Sequence, residues 1–178
     1  YFLPGNLGGL YGQLQQSLGE GVDANKQSSG RIGYAAGPVN VAFSYGVTDT
    51  SPNKFKHTNV AGSWNFGFMN LMAQYDLTKA GSVDQKAMLL GAVVPLGQGE
   101  IHAAYTKSKI DNPTGADPDA NQLAFGYIYN LSKRTALYGH YSQIKNKNGA
   151  AFVVGAIAGS SALNAKSTGY EVGVRHSF

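Results

Sequence analysis

The last ten residues of the chain, 169–178, alternate strictly between apolar and polar side chains. Because successive residues of a strand point to opposite faces of a sheet, this segment predicts a β-strand with two different faces. The apolar face would carry Tyr170, Val172, Val174, His176 and Phe178. The polar face would carry Glu171, Gly173, Arg175 and Ser177. The chain stops on an aromatic side chain, at a position where soluble chains usually fray, so we expect Phe178 to anchor the rim of an apolar surface.

The composition argues against a charged soluble surface and against membrane-spanning helices. Charged residues make up 13% of the 178 residues, against about 25% in soluble domains. A spanning helix needs about 18 consecutive apolar residues, and the longest apolar stretch, 150–158, is far shorter. A chain of this length has room for one domain. We therefore expect a single all-β domain over residues 1–178.

Nine further segments show alternation or are bounded by the turn residues that delimit strands. The clearest is 39–48, in which large apolar side chains alternate with Asn, Ala, Ser and Gly. Segment 87–96 is apolar at nearly every position, so the pattern does not assign its two faces. The predicted strands are 9–18, 31–36, 39–48, 57–66, 69–77, 87–96, 100–107, 122–131, 135–144 and 169–178.

The predicted connections alternate between short turns and longer loops. Short turns fall near Gly37, Gly67, Gly97 and Ser132, and the others are longer and polar. This alternation is typical of an up-and-down membrane barrel, and strands of about ten residues match the tilted length that crosses the hydrocarbon. The apolar loop before the last strand is expected to fold over the mouth of the barrel or to extend the last hairpin. Candidates for the interfacial aromatic belts are Tyr34, Tyr45, Trp64, Phe66, Tyr75, Tyr105, Tyr127 and Tyr129.

Three stretches carry a resemblance to a known family. The closing strand resembles that of bacterial outer-membrane barrels, which end in Phe after apolar residues at every second position. Residues 130–139, Asn-Leu-Ser-Lys-Arg-Thr-Ala-Leu-Tyr-Gly, together with 173–178, Gly-Val-Arg-His-Ser-Phe, resemble the general porins of β-proteobacteria. The opening nine residues resemble a mid-chain hairpin of the same porins. The resemblance implies a trimeric, 16-stranded outer-membrane porin, of which this chain would be the carboxyl-terminal part, with Tyr1–Leu3 as the tail of the sixth strand.

The size of the side chains on the polar faces distinguishes a narrow barrel from a wide one. Barrels of about eight strands are filled by their own side chains, whereas those of 16 to 18 strands enclose water. An open sheet in lipid would leave two edges of unpaired backbone groups, so the edges must be closed. The predicted polar faces are rich in Asn, Ser, Ala and Gly, which would leave voids in a narrow barrel. We therefore expect about ten strands of a transmembrane antiparallel up-and-down β-barrel with sixteen.

A wide, water-filled barrel predicts passive diffusion of small hydrophilic solutes and ions, with selectivity set by the charges that line it. The lining charges nearly cancel, so this part of the barrel does not fix the ion preference, although the resemblance implies a family that often prefers anions. The pore-lining candidates are Arg31, Asn40, Ser44, Ser63, Asn70, Asp76, Glu100, His102, Glu171 and Arg175.

The resemblance also implies location and partners. It places the protein in the bacterial outer membrane, in contact with membrane lipid and lipopolysaccharide, and as a homotrimer. The closing strand would be the assembly signal read by the barrel-assembly machinery, through Tyr170, Val172, Val174, His176 and Phe178. The basic residues are scattered along the sequence, so no nucleic-acid partner is expected, and no cofactor is expected.

Two other functions remain open from the sequence. A self-contained ten-stranded barrel could act as an outer-membrane protease or as an adhesin, and Asp49 and His57, which flank one loop, are the only hint of a protease. The four histidines lack metal-ligand spacing, so we expect them at wall or rim positions. Asp117, Asp119 and Asn121 resemble the start of a calcium loop, but the Gly and the bidentate Glu of such a loop are missing. No serine-hydrolase elbow is present.

Overall fold

The described residues form ten antiparallel strands in one sheet, in which every strand pairs with its neighbours in sequence. The computed structural model describes residues 1–19, 25–50, 53–155 and 162–178. The strands are β1 (Leu10–Ser17), β2 (Gln27–Ala36), β3 (Val39–Thr50), β4 (Asn53–Asn65), β5 (Asn70–Ala80), β6 (Val83–Leu96), β7 (Gly99–Asp111), β8 (Asp119–Asn130), β9 (Thr135–Lys147) and β10 (Lys166–His176). This is the up-and-down antiparallel arrangement that the alternation predicts.

The connections lie alternately at the two ends of the sheet. At one end, which we call the turn end, β2–β3, β4–β5, β6–β7 and β8–β9 are joined by two to four residues. Gly37, Gly67 and Gly97 adopt φ between 55° and 87° there, a backbone region that costs glycine little because it has no Cβ. The opposite end, which we call the loop end, carries the remaining connections, including the long segment 148–165.

Two connections at the loop end are shorter than the sequence pattern predicts. β3 and β4 stay paired as far as Thr50 and Asn53, and β5 and β6 as far as Ala80 and Val83. The expected strict alternation of short turns and long loops is therefore wrong at these two places. The polar residues read as loops instead continue the strands, because backbone pairing does not depend on the polarity of the side chains.

The sheet has almost no buried interior. Among the described residues, the buried apolar side chains are Ala120, Ala136, Ile144 and Ala150. Large apolar side chains are instead exposed along every strand, and Tyr170 is 87% exposed. No helix in the described part of the chain has the length and apolar character needed to cross a membrane.

The first three residues add to the sheet beyond β1. Phe2 forms an antiparallel bridge with Gln13, and the amide of Leu3 donates to the carbonyl of Gly12 at 2.9 Å. Residues 1–3 thus pair with β1 along the edge of the sheet. Their assignment to a sixth strand stays a prediction.

Candidate functional site

The strand register places the side chains of the sheet on two distinct faces. Residues directly opposite each other in a ladder point to the same side, and one such row runs from Arg31 through Ser44 and Asn59 to Asp76. We call the side that contains this row the polar face and the other side the apolar face. All ten predicted lining residues lie on the polar face: Arg31, Asn40, Ser44, Ser63, Asn70, Asp76, Glu100, His102, Glu171 and Arg175.

The register also assigns the two sides of β6, which the pattern leaves open. Leu89 pairs with Gln74 and Thr106, so it lies on the polar face. Leu90 pairs with Ala73 and Tyr105 on the apolar face. The polar face is therefore interrupted by a short apolar strip at β6, and only the identity of the neighbouring strands reveals which side it occupies.

Arg31 is held by two neighbours on the polar face of β1, Gln13 and Tyr11. Its guanidinium donates to Gln13 Oε1 at 3.3 Å and lies 5.6 Å from the centre of the Tyr11 ring. The Tyr11 hydroxyl donates in turn to Asn40 Oδ1 at 2.6 Å, across Gly33 of β2. Within the described residues, no carboxylate forms an ion pair with Arg31. The site therefore presents a positioned cation with its charge uncompensated.

Asp76 is the most constrained carboxylate of the polar face. Its Oδ1 accepts from Asn59 Nδ2 at 2.7 Å and lies 3.1 Å from His57 Nε2. Its Oδ2 accepts from Gln74 Nε2 at 2.7 Å. Both oxygens are thus engaged by neighbours on β4 and β5, which fixes the position of the charge.

Two more histidine–carboxylate pairs lie on the polar face. His102 Nε2 lies 3.0 Å from Glu100 Oε1 within β7, and His140 Nδ1 lies 3.0 Å from Glu171 Oε1 between β9 and β10. The remaining charge of this face, Arg175, has no ion pair with any described carboxylate. In the described strands, each carboxylate of the polar face therefore has a histidine beside it, whereas neither guanidinium group has an acid.

The sequence reasoning missed His57 and His140 as members of this set. Both were expected only at wall or rim positions, yet each faces the same side as the predicted lining residues. The signal was present in the alternation: His57 stands two residues before Asn59, and His140 two residues before Ser142. Residues separated by two share a face.

The connection between β9 and β10 folds onto the polar face at the loop end. Asn146 is 4% exposed, and its side chain donates to the carbonyls of Phe152 and Ala165 at 2.9 and 2.8 Å. The amide of Val154 donates to Ser167 Oγ at 3.0 Å. Phe152 and Val153 line a small cavity with polar-face residues of β7, β8 and β9. Residues 150–155 thus lie against the polar face at the loop end, and whether they cover the mouth of a closed barrel stays a prediction; residues 156–161 lie outside the described residues.

The apolar face carries exposed aromatic and aliphatic side chains toward the turn end and charge toward the loop end. Tyr45, Trp64, Tyr75, Tyr105 and Tyr127 are each 37–47% exposed on this side. Nearer the loop end the same face carries nine of the eleven lysines of the chain: Lys54, Lys56, Lys79, Lys86, Lys107, Lys109, Lys145, Lys147 and Lys166. Lysines that are scattered in the sequence are thus gathered by the fold into one band, which we call the lysine band.

The residues that resemble the start of a calcium loop make other contacts in the structure. Asp117 accepts a hydrogen bond from the amide of Asn112 at 3.0 Å and lies 3.3 Å from Lys109 Nζ. These two contacts, in that order, lower the pKa of Asp117. Asp119 and Asn121 belong to β8 rather than to the loop. In the described ranges, no group of three or more His, Cys, Asp or Glu side chains is placed to bind a metal ion.

The structure does not bring together the two residues that suggested a protease. Asp49 pairs with Lys54, so it lies on the apolar face, and the two side chains are 3.4 Å apart. His57 pairs with Gly46 and lies on the polar face. The two residues therefore point to opposite sides of the sheet and do not form a catalytic pair.

The closing strand exposes the predicted apolar series. Tyr170, Val172 and Val174 lie on the apolar face of β10, and Phe178 is fully exposed beyond its end. The ring of Phe178 meets that of His176 edge to face, with centroids 4.8 Å apart. The apolar face of the closing strand thus carries Tyr170, Val172 and Val174, followed by His176 and then Phe178.

Comparisons with known proteins all indicate the same family. Residues 1–149 match a family described as Gram-negative porin. Outer membrane porin protein 32 of Delftia acidovorans is 29% identical over 197 aligned positions, which cover 100% of this chain and 55% of that protein. An outer membrane porin protein of Bordetella pertussis is 27% identical, covering 82% of this chain and 44% of that protein. The chain therefore spans about half the length of the curated relatives that it matches.

Solved structures agree. The anion-selective porin from Comamonas acidovorans superposes with a TM-score of 0.88 at 27% identity, covering 100% of this chain and 58% of that one. OmpT, an outer membrane protein of Vibrio cholerae, superposes with a TM-score of 0.79 at 13% identity, covering 99% of this chain and 62% of that one. The second match shows likeness of fold alone. The ten-stranded sheet is thus the fold of a stretch of a porin barrel.

Proposed function

We propose that this chain, which belongs to the Gram-negative porin family, forms ten strands of the wall of a water-filled channel. The protein is located in the outer membrane, as its relatives are. Small hydrophilic solutes and ions would diffuse passively through the channel along the polar face. The observation that supports this most directly is the division of one continuous sheet into a face of polar and small side chains and a face of exposed aromatic ones.

The size of the polar-face side chains favours a wide lumen. The row between β3 and β4 contains Asn40, Ala42, Ala61 and Ser63, which are too short to fill a narrow barrel. Water can fill a barrel of about sixteen strands. We therefore propose that the full-length protein closes this sheet into such a barrel, since unpaired strand edges cannot remain in lipid. The porin relatives favour a channel over an enzyme.

The ten polar-face residues named above would line the channel, with His57 and His140 added to them. We propose that the lining prefers anions. Arg31 and Arg175 form no ion pair with an acid of the described residues, so their charges are open to a passing anion. A relative of solved structure is described as anion-selective. Replacing Arg31 with Gln in the full-length protein should reduce the anion preference, measured as the reversal potential in a salt gradient. An unchanged reversal potential would refute the role of Arg31.

The partners proposed for the protein follow from the apolar face. Its aromatic side chains would contact outer-membrane lipid, and its lysine band would face lipopolysaccharide. The row Tyr170, Val172, Val174, His176 and Phe178 would serve as the signal for the barrel-assembly machinery. The full-length protein would assemble as a homotrimer, as the family resemblance implies.

The two faces can be tested with single cysteines because the chain contains none. Ser63 lies on the polar face of β4, and Val60, which is 51% exposed, lies on the apolar face three residues away. A charged, water-soluble thiol reagent should lower the single-channel conductance of Ser63→Cys in a planar bilayer. The same reagent should leave Val60→Cys unchanged. Modification of Val60→Cys with a fall in conductance, or a full-length protein without stepwise currents, would overturn the proposed function.

A further inference from the structure

Two histidines of the polar face lie in one row with a glycine between them. Gly126 of β8 pairs with His102 of β7 on one side and with His140 of β9 on the other. Neighbouring strands are about 4.8 Å apart, so the Cα atoms of the two histidines are separated by about 10 Å. Because residues directly opposite each other point to the same side of a sheet, both imidazoles stand on the polar face with no side chain between them.

The ring of His140 leans over this glycine toward the strand that carries His102. A Cβ added to Gly126 would collide with His140 Cδ2 and would lie 2.8 Å from His140 Nε2. His140 Nε2 therefore lies above β8, one strand spacing of about 4.8 Å from β7. Two bonds between a zinc ion and imidazole nitrogens, each about 2 Å long, span a comparable distance.

Glu171 favours one tautomer of His140. His140 Nδ1 lies 3.0 Å from Glu171 Oε1, across the pair of β9 and β10. A carboxylate acceptor at this place favours the proton on Nδ1 and leaves the lone pair on Nε2. Metal-binding histidines are usually oriented by a carboxylate in this way. The nitrogen that lies above Gly126 is therefore the one suited to bind a metal ion.

His102 contributes a nitrogen that the protein leaves unsatisfied. Its Nε2 is shielded from solvent and forms no hydrogen bond with any described residue. Glu100 Oε1 lies 3.0 Å away, without the geometry of a hydrogen bond. A cation bound to Nε2 would satisfy this nitrogen and lie beside the carboxylate. The side chains of His102 and His140 are 38% and 37% exposed, so ions can reach both from the polar face.

The number of protein ligands determines the kind of site. Within the described ranges, no group of three or more His, Cys, Asp or Glu side chains is placed to bind a metal ion. An ion between the two imidazoles would therefore have two protein ligands and complete its coordination with water. Imidazoles suit Zn²⁺, Ni²⁺ and Cu²⁺, whereas Mg²⁺ and Ca²⁺ prefer oxygen ligands. Such an ion exchanges with the solvent and is not needed for folding.

We propose that His102 and His140 form an exchangeable binding site for a divalent transition-metal ion on the polar face, with Glu100 and Glu171 beside it. The site rests on the strand register and not on the activity of the protein as a channel. A bound ion adds two positive charges to the polar face. In the proposed channel it would therefore strengthen the preference for anions, because the charges that line a pore set its selectivity.

The first test measures the binding of Zn²⁺ to the untagged, full-length protein after treatment with a chelator. It compares His102→Gln and His140→Gln with the control His57→Gln. His57 also lies on the polar face beside a carboxylate, that of Asp76, but the residue across the neighbouring glycine of its row is Ser29.

Each of the two site variants should bind one Zn²⁺ fewer per chain than the parent, or bind it roughly tenfold or more weakly, because one of two protein ligands is lost. The control should bind Zn²⁺ as the parent does. Equal binding by the parent and by both site variants would overturn the proposal.

A second test separates direct coordination from a purely structural role of the histidines. Electron paramagnetic resonance of Cu²⁺, added at one equivalent per chain, identifies the imidazole nitrogens that coordinate it. The parent should show two imidazoles, and His102→Gln or His140→Gln should show one. Fewer than two imidazoles in the parent would refute the site without the need for any variant to fold. Two imidazoles retained in both site variants would refute it as well.

Ion selectivity gives an independent measurement. Zn²⁺ should shift the reversal potential of the parent in a salt gradient toward a stronger anion preference, and it should not shift that of His102→Gln/His140→Gln. An equal shift in both would overturn the proposal. A full-length protein that binds Zn²⁺ through these histidines but gives no stepwise currents would overturn the channel function and support the metal site.

Discussion

Leu89 and Leu90 are neighbours in β6 that point to opposite faces of the sheet, and replacing each by Arg compares the two faces within one strand. Leu90 is 50% exposed on the apolar face, opposite Tyr105. Leu89 lies on the polar face, opposite Gln74. The two variants have the same change in size and charge, so that only the side of the sheet differs.

The expected free-energy changes differ because the surroundings of the two side chains differ. Leu90 lies near the middle of β6, within the apolar run between Met88 and Leu96. An Arg on the lipid side of a barrel at the bilayer midplane costs about 2–4 kcal/mol, which is roughly a 30-fold to several hundredfold change in the folding equilibrium. The Arg of Leu89→Arg would remain in the water of the lumen. Its cost should therefore be about 1 kcal/mol or less.

The assay is urea-dependent folding of the full-length protein into lipid vesicles, combined with single-channel recording. Leu90→Arg should shift the folding midpoint strongly and leave the conductance of the channels that do fold unchanged. Leu89→Arg should fold almost as the parent does, and its added charge should raise the preference for anions. Equal destabilisation by both variants, or a larger effect of Leu89→Arg, would refute the assignment of the two faces.

Three further changes have definite outcomes. Phe178→Ser should lower the amount of protein in the outer membrane without altering the conductance per channel, and normal levels would contradict this. Asn146→Ala should release the loop from the polar face, because it removes the side-chain hydrogen bonds of Asn146 to the carbonyls of Phe152 and Ala165 and to the amide of Phe152, at about 1 kcal/mol each; faster proteolysis within 148–165 is the readout. The contacts of Asp117 lower its pKa. The stabilisation that these contacts provide is therefore complete above the ordinary pKa of 3.8, and it is lost as the pH falls through the lowered pKa of Asp117. The protection of the Asn112 amide against hydrogen exchange, taken as the intrinsic rate divided by the observed rate at the same pH, should therefore be retained at neutral pH and be lost only in strong acid; a loss of protection already at pH values well above 3.8 would argue against it.

The sequence predicted the fold well where one face is apolar and the other polar. In β3 the alternation of Val41 and Phe43 with Ala42 and Ser44 defined both the strand and its two faces. In β6 both faces are apolar, and the side that Leu89 takes follows only from its pairing with Gln74. Strand pairing joins residues that are far apart in the sequence. It therefore cannot be predicted from the local pattern of one strand.

The ends of the strands were predicted less well than their centres. Polar residues such as Lys54 and Lys79 were read as loops, yet they continue the strands toward the loop end. In a soluble sheet, polar residues often indicate loops. In this sheet they indicate the level at which a strand leaves the apolar layer of the membrane. The lysine band was missed for the same reason, because residues such as Lys56 and Lys79 become neighbours only when β4 pairs with β5.

Three aromatic rings of the polar face pack closely against glycines of an adjacent strand: Tyr11 on Gly33, His140 on Gly126 and Tyr138 on Gly173. At each of these places a Cβ would collide with the ring, so glycine is what allows the close contact. A sheet with almost no buried interior gains little rigidity from a packed core, and these ring-on-glycine contacts couple neighbouring strands instead. In the proposed channel they should limit the bending of the wall, and so keep the cross-section available to a diffusing solute constant in time.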